Sequence, residues 1–280
     1  MSQTIHVAHS PDSDDAFMFY ALTEGKIDTG PLRYVHELCD IESLNQRARR
    51  GELEVSAVSI HAYSYIADQY ALLASGSSMG DGYGPRLVGL EAPPSEVPAA
   101  LKGKRIGVPG ELTTAYLVLR LFQPDFEAVV LPFDEIEDAV LDGRVEIGLV
   151  IHEGQLTFAE RGLHLWGDLG AWWHEETGLP LPLGGNVVRR DLGEAVIEQI
   201  ARDLKASIEY GLHHREAALG YAERYNRGIS KEQTDAFVGM YVNHWTVDYG
   251  EEGRNAVRTL LARAHDAGLL PQAPDVEFVG

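Results

Sequence analysis

Short apolar runs alternate with longer helical stretches from the start of the chain. Residues 5–8 (Ile5-His6-Val7-Ala8) form an apolar run of strand length. A polar loop follows, and residues 14–24 then read as a helix that stops at Gly25. Residues 32–35 have strand character, residues 40–50 have helical character up to Gly51, and residues 53–58 are again a strand. Strand, helix, strand, helix, strand is the order of βαβ units. It predicts an α/β protein with a parallel or mixed sheet covered by helices on both faces.

The same order returns downstream. Arg105-Ile106-Gly107-Val108, a polar loop and a helix from Thr113 parallel the opening strand, loop and helix. The stretch Gly143-Arg144-Val145-Glu146-Ile147-Gly148-Leu149-Val150, after a short helix from Asp134, parallels Gly51-Glu52-Leu53-Glu54-Val55-Ser56-Ala57-Val58 after the helix from Asp40. The repetition predicts two similar α/β lobes. Pro-rich Ala92-Pro93-Pro94-Ser95-Glu96-Val97-Pro98 is the expected first crossover. Residues 180–188 are the expected second, because their Pro and Gly residues interrupt any helix and Val187-Val188 restart a strand. The mostly helical stretches 193–224 and 230–267 would return to pack on lobe one. The expected division is 1–95 plus 187–280 for lobe one and 96–186 for lobe two, with a ligand cleft between them.

Charge and composition narrow the partners. Asp and Glu number 43 against 23 Lys and Arg, a formal net charge of −20. Nucleic-acid binding needs clustered cations, so this balance argues against it. It argues equally against an anionic membrane surface. No apolar run reaches membrane-spanning length. The opening residues lack the basic and apolar regions of a secretory leader, so the expected location is the cytoplasm. Cys39 is the single cysteine, which excludes an intramolecular disulfide and a CxxC site. It reads as a packing thiol. The oligomeric state is left open.

Ligands of open α/β sheets sit beyond the carboxyl ends of the strands, and four such ends are polar here. The first is His9-Ser10-Pro11-Asp12-Ser13-Asp14-Asp15. Its three aspartates have the chemistry to hold a divalent cation. Alternatively, Ser13 or Asp14 caps the following helix while Asp15 favours its positive end. Either reading leaves Ser10 or Asp14 free to touch a ligand. The second end is Ser59, whose hydroxyl either meets a polar ligand or closes a local turn. The third is Thr113-Thr114 at a helix start, where unpartnered N–H groups and two hydroxyls suit a carboxylate; a plain N-cap is the alternative. No GxxxxGK[ST] run is present for a triphosphate. The fourth is His152, directly after the strand 146–151, with an imidazole suited to general-base work near neutral pH. Trp166, Trp172 and Trp173 read as core cover, with an aromatic pocket wall as the alternative.

Taken together, these segments resemble the 1,4-dihydroxy-6-naphthoate synthase family of the futalosine route to menaquinone. The resemblance runs over most of the chain. It rests on His9-Ser10-Pro11 with Asp14-Asp15-Ala16-Phe17-Met18-Phe19-Tyr20, Val58-Ser59, Thr113-Thr114-Ala115-Tyr116 and Leu149-Val150-Ile151-His152-Glu153. Residues 168–173, 177–184 and Tyr241-Val242-Asn243 extend it. The first loop departs from the commoner Cys-Pro-Asn-Asp form by having Asp12-Ser13-Asp14-Asp15.

The resemblance implies a two-lobed, periplasmic-binding-protein-like (type II) α/β fold with its ligand cleft between the lobes. It implies conversion of cyclic dehypoxanthine futalosine to 1,4-dihydroxy-6-naphthoate by carbon–carbon bond cleavage, with His152 as the base. Substrate contacts then map to Ala57, Val58, Ser59, Thr113 and Thr114, and Ser10 and Asp14 align as further contacts. The expected partner is a small carboxylated aromatic substrate. Gain of aromaticity drives the step, so neither a metal nor a redox cofactor is expected. Competing expectations are a chorismate dehydratase-like enzyme of the same pathway, a small-carboxylate solute-binding protein, and a metal-dependent hydrolase using Asp12, Asp14 and Asp15.

Overall fold

The computed structural model describes residues 2–226, 228–272 and 274–280. In chain order its strands are β1 (Gln3–His9), β2 (Leu32–Leu38), β3 (Val55–Ser59), β4 (Tyr70–Leu73), β5 (Ser78–Gly80) and β6 (Arg86–Gly89). They continue as β7 (Arg105–Val108), β8 (Glu127–Val130), β9 (Ile147–Val150), β10 (His164–Asp168), β11 (Leu181–Arg189) and β12 (Phe278–Val279). One sheet has the order β12-β4-β11-β3-β1-β2, with β5 also pairing β11, and the other β10-β6-β9-β7-β8.

The inferred repetition is visible in these orders. In the first sheet β2, β1 and β3 run parallel and β11 joins β3 antiparallel. In the second, β8, β7 and β9 run parallel and β6 joins β9 antiparallel. Each sheet therefore receives an antiparallel strand from the chain as it passes to or from the other.

This exchange moves the expected boundaries. β6 lies before residue 95 yet belongs to the second sheet, and the Pro-rich segment 92–98 is an exposed connection between β6 and β7. The return at 187 falls inside β11, which starts at Leu181 and belongs to the first sheet. The sheets thus divide the chain between β5 and β6 and again just before β11. Residues 181–186 are strand because β11 can tolerate their Pro and Gly. Pro182 sits where its pairing with β5 shifts register, a usual place for a strand proline. A Cβ at Gly185 would overlap the Tyr249 hydroxyl.

Helices cover both sheets. Ser13–Thr23 is buried along most of its length and packs on Glu194–His213. Phe17 occupies the space beside Gly211, and the Ser207 hydroxyl donates to the Met18 carbonyl at 2.7 Å. The C-terminal helices therefore do return to the first sheet. One apolar cluster runs through both halves, joining Val58, Ile60 and Leu72 to Ile106, Leu149 and Trp173. The tryptophans serve this packing. Trp173 is fully buried, Trp172 packs edge-on against Phe122, and the Trp166 indole donates to the Glu91 carbonyl.

The first crossover is tight. Gly170, at the start of helix Leu169–Thr177, lies so near the Tyr83 carbonyl that a Cβ would overlap backbone atoms. Gly220 lies in helix Arg215–Ala222 with open space beside it. Gly170→Ala should therefore lower stability by about 1–3 kcal/mol. Gly220→Ala should be neutral or gain up to about 1 kcal/mol. Denaturant unfolding of both variants checks this, and equal effects would contradict the assigned close approach.

Candidate functional site

The carboxyl ends of β1, β3, β7 and β9 open on one pocket. Ser10, Asp14, Ala57, Val58, Ser59, Thr113, Thr114 and His152, the residues expected at the site, all line it. Asp12, Asp15, Gln155, Asn186, Phe237 and Tyr241 line it too. Neither Lys nor Arg is among the lining residues.

The first loop follows β1. Asp12 occupies the N-cap position of helix Ser13–Thr23, but its side chain makes no cap bond. Ser13 and Asp14, expected as caps, are already inside the helix. The Asp12 carboxylate instead accepts the Ser10 hydroxyl at 2.7 Å and lies 3.2 Å from His152 Nδ1. Asp15 accepts the Ser10 amide at 2.7 Å, and its carboxyl lies 2.8 Å from the Ser10 hydroxyl, whose single proton is shared between Asp12 and Asp15. Asp12 and Asp15 thus meet at Ser10, and Asp12 alone reaches His152. Among the described residues no three His, Cys, Asp or Glu side chains converge as a metal site.

Burial dominates the titration of these acids. It pushes Asp14 well above the usual carboxylate range, and the charges of Asp15, Asp12 and Glu153 push the same way. Burial raises Asp15 to about 6, against the opposing hydrogen bonds from Ser10. Asp14 is accordingly disposed to its neutral, proton-donating form.

Ser59 is held by a residue that motif reading passed over. Asn45, on helix Ile41–Arg49, donates to the Ser59 hydroxyl at 3.0 Å and accepts the Ser59 amide at 2.9 Å. The Ser59 hydroxyl proton remains available to the pocket. A polar residue on the buried face of a helix is the only trace of this role in the sequence, since Asn45 is fully buried.

The Thr pair behaves differently from expectation. Thr113 is the N-cap of helix Thr114–Phe122, accepting the Tyr116 amide and donating to the Gly110 carbonyl. The Thr114 hydroxyl accepts the His61 amide at 3.1 Å and donates to the Leu183 carbonyl at 2.6 Å. Both hydroxyl protons are committed to the protein, so they do not reach a ligand carboxylate. With the Tyr116 amide taken by Thr113, the backbone N–H groups of Thr114 and Ala115 are the donors left at this end.

His152 has a left-handed backbone, with φ of 67°, alone among the described non-glycine residues. Strain of this kind collects at functional sites. The conformation turns the ring out of the strand direction and into the pocket. Phe133 lies against it at 4.0 Å between ring centroids, and Nε2 is buried without a protein partner. Beside it, the Glu153 carboxylate accepts the Ser13 hydroxyl at 3.1 Å. The Tyr241 hydroxyl and the Gln155 side chain lie 2.8 Å apart. The aromatic lining thus comes from Phe237 and Tyr241 rather than from the tryptophans.

Two α/β sheets that exchange strands around a cleft define a protein with the fold of periplasmic binding proteins. An alkanesulfonate-binding protein from Xanthomonas axonopodis pv. citri superposes with a TM-score of 0.69 at 13% identity, over 98% of this chain and 96% of its own. A Candida albicans protein described by the same fold also gives 0.69, at 18% identity, over 98% and 92%. At such identities the likeness concerns the fold alone. Nearer relatives define the family. The profile described as menaquinone biosynthesis matches residues 5–266, and the chain belongs to this family. It is 42% identical to a 1,4-dihydroxy-6-naphthoate synthase from Thermus thermophilus, over 99% of this chain and all of that one. It is 40% identical to another from Streptomyces coelicolor, over 96% of each. A crystal structure of an Archaeoglobus fulgidus protein is 47% identical, with a TM-score of 0.89 over 95% of this chain and 98% of that one.

The loop that carries Ser10 and Asp12 rests on a buried imidazole pair. His9 stacks on Phe19, its Nδ1 lies 3.1 Å from the Ser10 carbonyl, and its Nε2 lies 3.3 Å from His36 Nδ1. Burial lowers His9 to about 3 and His36 to about 4, from an ordinary 6.5. Between these values and 6.5 the unfolded chain binds protons that the native chain does not, so each histidine removes stability as pH falls. His36→Gln should therefore melt at a progressively higher temperature relative to the parent as pH falls from 7.5 to 4.5. A constant difference across that window would contradict the neutral pair.

Proposed function

We propose that the protein converts cyclic dehypoxanthine futalosine to 1,4-dihydroxy-6-naphthoate, with His152 as general base. The naming of relatives at 40–42% identity supports the reaction. The observation that carries the role of His152 is that a residue lining the pocket keeps its Nε2 buried without a protein partner.

The remaining geometry suits such a substrate. A carboxylate fits the N–H groups that open helix Thr114–Phe122, and the Ser59 hydroxyl is a further donor. The pocket offers no cation, so a carboxylate there depends on neutral donors and on neighbouring acids that stay protonated. The raised Asp14 meets that need. Phe237 and Tyr241 supply flat apolar surface for a ring.

His152 then takes a proton from the substrate at Nε2. The electron pair left behind forms a double bond in the sugar-derived fragment as the carbon–carbon bond breaks, and the pair of that bond passes into the ring, which becomes aromatic as the fragment leaves. Closure of the two sheets over the ligand excludes water and fixes the ring against the base. This is a carbon–carbon lyase acting on a small diffusible molecule, which agrees with a cytoplasmic setting.

Asn is the informative replacement for His152 because it tolerates a left-handed backbone. His152→Asn should bind 1,4-dihydroxy-6-naphthoate about as well as the parent. It should lose turnover of cyclic dehypoxanthine futalosine by about 10²- to 10⁴-fold, the usual share of a general base. Chromatography with mass detection of the product checks this, and near-parental turnover would refute the role.

A further inference from the structure

We propose that Asp12 is the positioning residue of His152, fixing the ring with its proton on Nδ1 so that Nε2 presents a lone pair to the pocket. The inference rests on the reading of His152 as base and adds the group that makes it one. Three observations carry it. Asp12 stands at a helix N-cap, where an aspartate ordinarily accepts a backbone N–H, yet its side chain makes no such bond. It turns instead to Ser10 Oγ at 2.7 Å and His152 Nδ1 at 3.2 Å. Both side chains are nearly buried, at 8% and 10% exposure, where a contact between carboxylate and imidazole counts for more than it would in water. The ring has little freedom to turn away, because Phe133 lies against it and the His152 backbone is left-handed.

The consequence is chemical. A neutral imidazole carries one N–H, and the partner of one nitrogen sets the state of the other. A carboxylate accepts only, so Nδ1 must hold the proton and Nε2 the lone pair. Asp12 also stabilises the imidazolium that forms when Nε2 takes a proton from the substrate. Asp12 follows β1 of the first sheet and His152 follows β9 of the second. The base is therefore oriented only while the two sheets stand together as they do here.

The test pairs kinetics with nitrogen NMR of protein carrying ¹⁵N-labelled histidine, recorded near pH 8, with His152→Gln assigning the signal. The parent protein should show the His152 tautomer protonated at Nδ1. A parent His152 protonated at Nε2 overturns the proposal, whether or not any variant folds. Asp12→Asn should shift the signal toward the other tautomer. It should lower kcat by about 10²- to 10⁴-fold, with KM within about threefold. A folded Asp12→Asn that loses turnover with an unmoved His152 signal, or that turns over normally, also overturns it. The base reading fails separately: a His152→Asn that turns over normally refutes it even where the tautomer of His152 is as assigned.

Discussion

The exchange of one antiparallel strand between the sheets is the constraint on which the rest of the structure depends. β11 completes the first sheet after the chain has built the second, and β6 starts the second before the connection to its parallel strands. The two sheets are thereby tied at two points, and the carboxyl ends of β1, β3, β7 and β9 open on the same gap. Close backbone approaches at the crossover, such as that of Gly170 to Tyr83, leave little slack in this arrangement. Parallel strands leave their polar exits at one edge. Tying two such edges together brings a loop aspartate and a strand-end histidine, distant in the chain, within hydrogen-bonding distance.

The pocket that results is lined by Asp12, Asp14 and Asp15 and by neither Lys nor Arg, an unusual place for the carboxylated substrate we propose. Burial settles the conflict by shifting protons. Asp14 and Asp15 are raised, Asp15 accepts the Ser10 amide, Glu153 accepts the Ser13 hydroxyl, and Asp12 lies 3.2 Å from His152 Nδ1. The donors that remain for a ligand are the start of helix Thr114–Phe122 and the Ser59 hydroxyl, the latter held in place by Asn45. Neutral, fixed dipoles of this kind suit the proposed carboxylate.

Much of this architecture is written in local pattern. Alternation of apolar runs with helical stretches reveals both βαβαβ halves, because each strand and helix declares its own period. Membership of β6 and β11 is not local. Arg86-Leu87-Val88-Gly89 reads as a strand in either sheet, and only pairing with β9 decides which. The positions of Ser10, Asp14, Ser59, Thr113, Thr114 and His152 are legible because each follows a strand. Their bonds are less so. The commitment of both Thr hydroxyls depends on Gly110 and on Leu183 of β11, and the clamp on Ser59 depends on Asn45 from a neighbouring helix. The pairing of Asp12 with His152 crosses from one sheet to the other, so no spacing in the chain announces it.

A crystal structure of the protein soaked with 1,4-dihydroxy-6-naphthoate tests the central claim most directly, because it asks whether chemistry and recognition meet where the two sheets do. The account predicts the carboxylate at the first N–H groups of helix Thr114–Phe122. It predicts the ring against Phe237 and Tyr241, and a ring carbon or hydroxyl facing His152 Nε2. A product bound outside this pocket, or within it with its carboxylate against His152 and its ring away from Nε2, would contradict the account.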